Sequence, residues 1–180
     1  MVRQAAALWA GLSEPDLLVE AWIRREGSGA MGEDGVLTPP QRSVQPEVAI
    51  AMLERDGGWL LQLRDDSDAI VHPGTWGLFG GHLDPGETAE QGLRRELREE
   101  IGWEAGRLRW WLAHRTPERL LHVFLGSLTV PLQALDLREG QDMTLASRQD
   151  LIAGRVWSER LGEFRSLAAS LQMVVSQMEA

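Results

Sequence analysis

Short apolar runs separated by turn signals, the pattern of buried strands, occupy the middle of the chain. Val48–Leu53 is a continuous apolar run of the kind that forms a buried strand. Arg55-Asp56-Gly57-Gly58 is a turn signal, and Trp59–Leu63 returns from it, so the pair predicts a hairpin. Asp65–Gly74 reads as a polar loop. Trp76–Phe79 is a short apolar piece broken by Gly80-Gly81. Leu108–Ala113 and Leu120–Val130 predict two further strands, the second ended by Pro131. Near the end a helical period takes over. Leu161, Phe164, Leu167, Ala168, Leu171, Val174, Val175 and Met178 fall at helical spacing, which predicts an amphipathic helix over Arg160–Met178.

Residues 1–44 have a different texture and read as an extension, with a globular domain over 45–180. Leu17, Leu18, Ala21, Trp22 and Ile23 predict a short helix within Pro15–Arg25. Gly27–Gly35 and Pro39-Pro40 have the composition of a flexible linker. Ala5–Leu12 is apolar, but the start is barely charged and Glu14 and Asp16 follow at once, a poor fit to a signal peptide. The expected location is cytoplasmic.

Composition removes several classes of chemistry. The chain has 180 residues, enough for a domain with a real core. It has no cysteine, so disulfides, thiolate metal sites and a cysteine nucleophile are excluded. All 18 basic residues are Arg, which excludes Schiff-base chemistry and a Lys-dependent phosphate loop. The net charge of −9 argues against nonspecific nucleic-acid binding. A small anionic substrate remains compatible with that charge if a divalent cation neutralises the site locally.

Candidate chemistry concentrates in Gly81–Trp103. Thr88 with Gln91 fits a capping box, good helix formers follow, and Gly102 stands where a left-handed C-cap belongs. Glu96, Glu99 and Glu100 then share one helical face. Ala89, Leu93, Leu97 and Ile101 form the opposite, apolar face. The helix is expected to dock on a sheet and present its carboxylates outward. Like charges at that spacing repel, or one takes up a proton. Bound Mg²⁺ or Mn²⁺ relieves the conflict, since hard cations prefer carboxylate oxygens. A Glu/Arg-rich helix is also a common solvated face, so the helix alone does not make a site.

The whole segment resembles the Nudix box: Gly, five residues, Glu, seven residues, then Arg-Glu-aliphatic-x-Glu-Glu-x-Gly-aliphatic. Gly81, Glu87, Arg95, Glu96, Leu97, Glu99, Glu100 and Gly102 match it, and Trp103 replaces the last aliphatic residue. Trp76–Gly81 also resembles the family's approach to the box, with Phe79 where Pro more often stands. The likeness runs from about Pro46 to Arg155. It implies an α/β fold, a mixed β-sheet sandwiched between helices. It implies hydrolysis of a nucleoside diphosphate linked to another moiety, such as an NDP-sugar or ADP-ribose, with Mg²⁺ or Mn²⁺ as cofactor. Glu96, Glu99 and Glu100 are the implied metal ligands, with the Gly80 carbonyl and Glu139 as further candidates. Glu87 and Arg95 would brace the loop against the helix. Glu96, Glu99 and Glu139 are the candidate bases. Glu139 lies in Arg138–Gln141, which is equally an ordinary polar turn.

The alternatives are a hydrolase of 8-oxo-dGTP or of RNA 5′ ends, and a Nudix-fold module that senses a nucleotide without cutting it. Among the histidines, His82 reads as a surface loop residue, and His114 and His122 as structural strand residues. The eight Trp read as core. The apolar end of the last helix, including Met173, predicts either a homodimer or cover by the first residues of the chain.

Overall fold

The structure is a computed structural model, and it describes residues 30–31, 37–38, 45–67 and 72–179. The helix expected over Pro15–Arg25 lies outside the described residues. Within the extension, Ala30–Met31 pairs antiparallel with Leu37–Thr38, a small ladder where composition predicts a linker.

Strand β1 (Glu47–Arg55) and strand β2 (Gly58–Leu63) form the expected hairpin. Asp56 and Gly57 both take positive φ, 52° and 81°, as a tight hairpin turn of primed type requires. The two strands pair only beside the turn, at Glu54↔Trp59 and Arg55↔Gly58. Beyond it they diverge and take separate partners. The freed edge of β1 receives β4 (Phe79–His82), while β2 receives β3 (Trp76–Gly77) and, on its other edge, β7 (Asp142–Ala146). The far edge of β1 pairs in parallel with β6 (Leu120–Ser127), which pairs antiparallel with β5 (Leu108–Arg115). The result is a seven-stranded mixed sheet.

Both faces of β1 are buried, and this makes the architecture a sandwich. Ala49, Ala51 and Leu53 face helix α1 (Ala89–Ile101), meeting Leu93, Leu97 and Ile101. Val48, Ile50 and Met52 face the other way, toward helix α2 (Arg148–Ala153) and helix α3 (Ala169–Glu179), through Leu151, Leu171, Val174 and Val175. The expected α/β sandwich is therefore the observed fold.

Helix α1 has the boundaries its caps predict. The Thr88–Gln91 capping box forms, and Gly102 closes the helix in the left-handed region at φ 63°. The same device, Ser147 with Asp150 and then Gly154 at φ 69°, builds α2, which the apolar pattern did not reveal.

The C-terminal region departs from expectation. No helix spans Arg160–Met178; the helix begins at Ala169. Before it stands a hairpin, β8 (Arg155–Ser158) and β9 (Glu163–Ser166). Gly162, at φ 69°, donates to the Ser158 carbonyl at 2.9 Å, and Leu161 N–H donates to Ser158 Oγ at 3.1 Å. These bonds close a turn where a helix would need continuous right-handed backbone. Leu161 and Phe164, counted in the helical stripe, are exposed, whereas Leu167, Ala168, Leu171, Val174 and Val175 are buried as expected. Met173 and Met178, near the helix end, are partly buried against the core, and the first residues of the chain, expected as one possible cover for it, lie outside the described residues. Strand β6 also stops at Ser127, short of Val130.

Trp59, Trp76, Trp103, Trp110 and Trp111 are core residues, and Trp110 and Trp111 serve opposite faces of the sheet. Trp157 corrects the general expectation: it is 40% exposed and meets Phe164 edge-on at 5.1 Å.

Candidate active site

Helix α1 lies along β4, and the glycines of β4 set how closely. A Cβ on Gly81 would fall 2.7 Å from the Glu96 carboxylate, and one on Gly80 would meet the Ala49 carbonyl oxygen at 2.1 Å. The bare backbone at Gly81 thus lets the Glu96 carboxylate lie directly against the strand, and that at Gly80 lets the strand close on β1.

Glu100 lies deeper than Glu96. It is 4% exposed, and its Oε2 accepts the Gly80 N–H at 2.9 Å. Burial pushes its carboxyl up to about 8, opposed by the Gly80 bond and reinforced by the charges of Glu139 and Glu96. This corrects the outward face expected for the three glutamates. Glu96, Glu99 and Glu100 share a side of the helix, but Glu100 turns inward, Glu96 is half-buried and Glu99 is exposed.

Arg95 ties the outer part of the segment together. Its guanidinium donates to both Glu87 oxygens at 3.0 and 3.1 Å, to the His82 carbonyl at 2.9 Å, to Glu96 at 2.8 Å and to Glu99 at 3.1 Å. Glu87 also accepts the Asp84 N–H at 2.8 Å. The Arg95 bond, then the Asp84 amide, lowers the Glu87 carboxyl below its ordinary range; the same contacts, Glu87 first, raise Arg95. Arg95 therefore joins the strand end, the turn and the helix through one planar fork.

Glu139 arrives from far along the chain. Its loop is hydrogen-bonded to the end of α1: Asp136 N–H donates to the Ile101 carbonyl at 3.0 Å and Arg138 N–H to the Glu100 carbonyl at 2.8 Å. Arg138 Nη1 reaches the Arg98 carbonyl at 3.1 Å. The helix end thus finds partners for carbonyls that would otherwise be orphaned. Beyond Glu139, Gln141 N–H donates to the Leu63 carbonyl at 2.7 Å, and Gln141 Nε2 to the Arg64 carbonyl at 2.8 Å. The site thus gathers Gly80, Gly81, Glu96, Glu100 and Glu139, while Glu99 and Glu87 join through Arg95.

Gln62 was not legible as a site residue. It is 2% exposed on β2 and donates Nε2 to the Glu139 carbonyl at 3.0 Å. Its signal in the sequence is a lone amide within the apolar run Trp59–Leu63. The histidines stand apart from this chemistry. His82 is exposed at the end of β4. His114 is exposed on β5, and His122 is buried on β6 with Nε2 2.8 Å from Glu47 Oε2.

Among the described residues, no three His, Asp or Glu side chains converge closely enough to hold a metal ion as placed. Arg95 takes up the facing oxygens of Glu96 and Glu99, and Gly80 takes one from Glu100. The donor chemistry nevertheless fits a hard divalent cation, because the gathered side chains are all carboxylates with no softer ligand among them.

The sequence profile of the NUDIX domain matches residues 44–162. This chain belongs to the Nudix family. Nucleoside triphosphatase NudI of Enterobacter sp. (strain 638) is 45% identical over 58 residues, 32% of this chain and 40% of that protein's length. In three dimensions a MutT structure described for Aliivibrio salmonicida and Vibrio cholerae is similar at TM-score 0.58 and 21% identity, covering 74% of this chain and 96% of that one. The NUDIX domain of Shewanella oneidensis NrtR, solved with ADP ribose, gives TM-score 0.56 at 17% identity, covering 77% and 88%. At those identities the two structures share the fold with this chain.

Proposed function

We propose that the chain is a metal-dependent hydrolase that cleaves the diphosphate linkage of a nucleoside diphosphate joined to another moiety. The observation that carries this reading is Glu100, buried against the Gly80 amide with the Glu96 and Glu139 charges beside it. Such a group is costly for the fold unless a cation or a proton compensates it. Glu96, Glu99, Glu100 and Glu139 would hold Mg²⁺ or Mn²⁺, with the Gly80 carbonyl as a further candidate ligand. When bound, the cation supplies charge neutralisation for the diphosphate and for the departing phosphate. The anhydride P–O bond breaks as a water oxygen bonds to phosphorus, and the leaving phosphate oxygen keeps the electron pair. The water's proton passes to a carboxylate, for which Glu96, Glu99 and Glu139 are the candidates. Gly81, Glu87, Arg95 and Gly102 serve the shape of the loop and helix rather than the reaction.

The NudI similarity favours nucleoside triphosphates as a second substrate reading. The ADP ribose bound in the NrtR domain structure keeps ADP-ribose within the first reading. A module that senses a nucleotide without cutting it is the rival from another class. The complete set of box glutamates supports catalysis over sensing. No helix among the described residues is long and apolar enough to cross a membrane.

The test is turnover across nucleoside triphosphates, NDP-sugars, ADP-ribose, dinucleoside polyphosphates and capped RNA, each with Mg²⁺ and with Mn²⁺. Absence of hydrolysis on every substrate with both metals would reject the reading. Melting curves supply an independent check. Millimolar Mg²⁺ or Mn²⁺ should raise the midpoint over that in EDTA, by mass action on the folded state, and less in Glu100→Gln. Identical midpoints would remove the cation from this reading of the cluster.

A further inference from the structure

The strand β2 alternates its side chains between the two cores. Trp59, Leu61 and Leu63 enter the core beneath α2 and α3, and Leu60 enters the core beneath α1. Gln62 shares the side of Leu60, so an amide stands where the pattern calls for an aliphatic residue. Its Nε2 donates to the Glu139 backbone carbonyl at 3.0 Å, and the amide stands near enough to the Glu100 carboxylate to favour its charged form. The NH₂ end carries two hydrogens, so it can serve the carbonyl and face the carboxylate at once. The loop is shaped to this contact. Gly140 takes φ 90°, and a Cβ there would lie 2.7 Å from the Leu63 carbonyl oxygen and 2.9 Å from Gln62 Cγ. Glycine thus lets the Glu139 loop pass directly over the Gln62 side chain.

We propose that Gln62 is a positioning residue that fixes the Glu139 loop against the Glu100 carboxylate and so sets the affinity of the acidic site for a divalent cation. This rests on the metal-dependent reading above. The two carboxylates come from elements that share no local sequence, the box helix and the loop before β7. The backbone bond from Arg138 to Glu100 fixes the loop on the helix side. Gln141 holds it on the sheet side through the Leu63 and Arg64 carbonyls, and Gln62 bonds the Glu139 backbone between those two anchors. Removing the Gln62 amide leaves the loop anchored at Arg138 and Gln141 but takes away the bond made at Glu139 itself, beside the Glu100 carboxylate.

Mn²⁺ binding to the full chain without substrate, followed by calorimetric titration well below the melting temperature, tests the proposal. Gln62→Met keeps the length and flexibility of the side chain and deletes both donors. Its Mn²⁺ dissociation constant should rise roughly 10- to 100-fold, the range for removing a group that orients metal ligands. Gln62→Asn, which keeps the amide but withdraws it by one methylene, should fall between wild type and Gln62→Met. It also serves if Gln62→Met does not fold. A lowered melting temperature in EDTA with unchanged Mn²⁺ affinity would make Gln62 a packing residue and overturn the proposal. A wild-type chain that binds no Mn²⁺ would instead remove the metal reading, and the role of Gln62 with it.

Discussion

Helix α1 and the hairpin β8–β9 both follow apolar residues at helical spacing, yet only one of them is a helix. In α1 the apolar residues Leu93, Leu97 and Ile101 are fully buried on one face, and capping residues close both ends. In the hairpin, Val156 and Ser158 point inward, while Trp157 and Phe164 form a cross-strand pair on the outside with Arg155 over the Phe164 ring. The difference teaches that spacing alone is permissive. What commits a segment is the conformation of its ends, and Gly162 in the left-handed region interrupts any helix before Ala169.

The sharpest contrast is between apolar residues in the two regions. Leu97→Ala removes a side chain with no exposure, at the centre of the α1 face. It should cost roughly 2–5 kcal/mol in urea unfolding. A cost under about 1 kcal/mol would mean that α1 is not anchored as described.

Function in the same helix should respond almost as strongly. Glu100→Gln and Glu99→Gln each keep the side-chain shape and delete a carboxyl that a cation could bind. Turnover should fall on the order of 10²-fold, about 2.7 kcal/mol of barrier, with the circular dichroism spectrum unchanged. Near-wild-type rates in both variants would remove the site assignment.

The smallest effect belongs to the hairpin. Leu161→Ala should change stability by no more than about 0.5 kcal/mol, because the residue is already 38% exposed. A loss as large as that at Leu97 would restore a packed helix over this stretch.

The contrast also explains what could be read from the sequence. The box was legible because its signals are local: Thr88 and Gln91 cap the start, Gly102 caps the end, and the apolar residues between them share a face. The β1–β2 hairpin was legible for the same reason, through Asp56-Gly57. Glu100 was placed on the right helix but in the wrong environment. Its burial depends on Gly80, whose strand must first pair with β1, and no helical periodicity contains that partner. Gln62 and β7 were missed for a related reason. Asp142–Ala146 alternates weakly and becomes a strand only by pairing with Trp59–Leu63. Over Arg160–Met178, Leu161 and Phe164 completed an apolar stripe by coincidence, and Gly162 was the local signal that should have carried more weight.

Strand β1 has no polar side to mark which way it faces, and its register is kept instead by a difference in bulk. Small Ala49 and Ala51, followed by Leu53, lie beneath the box helix, and the bulkier Val48, Ile50 and Met52 lie beneath the opposite layer. A one-residue slip would exchange the two sets. It would wedge the larger side chains under α1, lift Glu96 and Glu100 from Gly81 and Gly80, and leave voids on the far side. Side-chain volume in one strand therefore works as a key for the alignment of the acidic site, so a deletion within Val48–Leu53 would misalign every carboxylate without altering any of them.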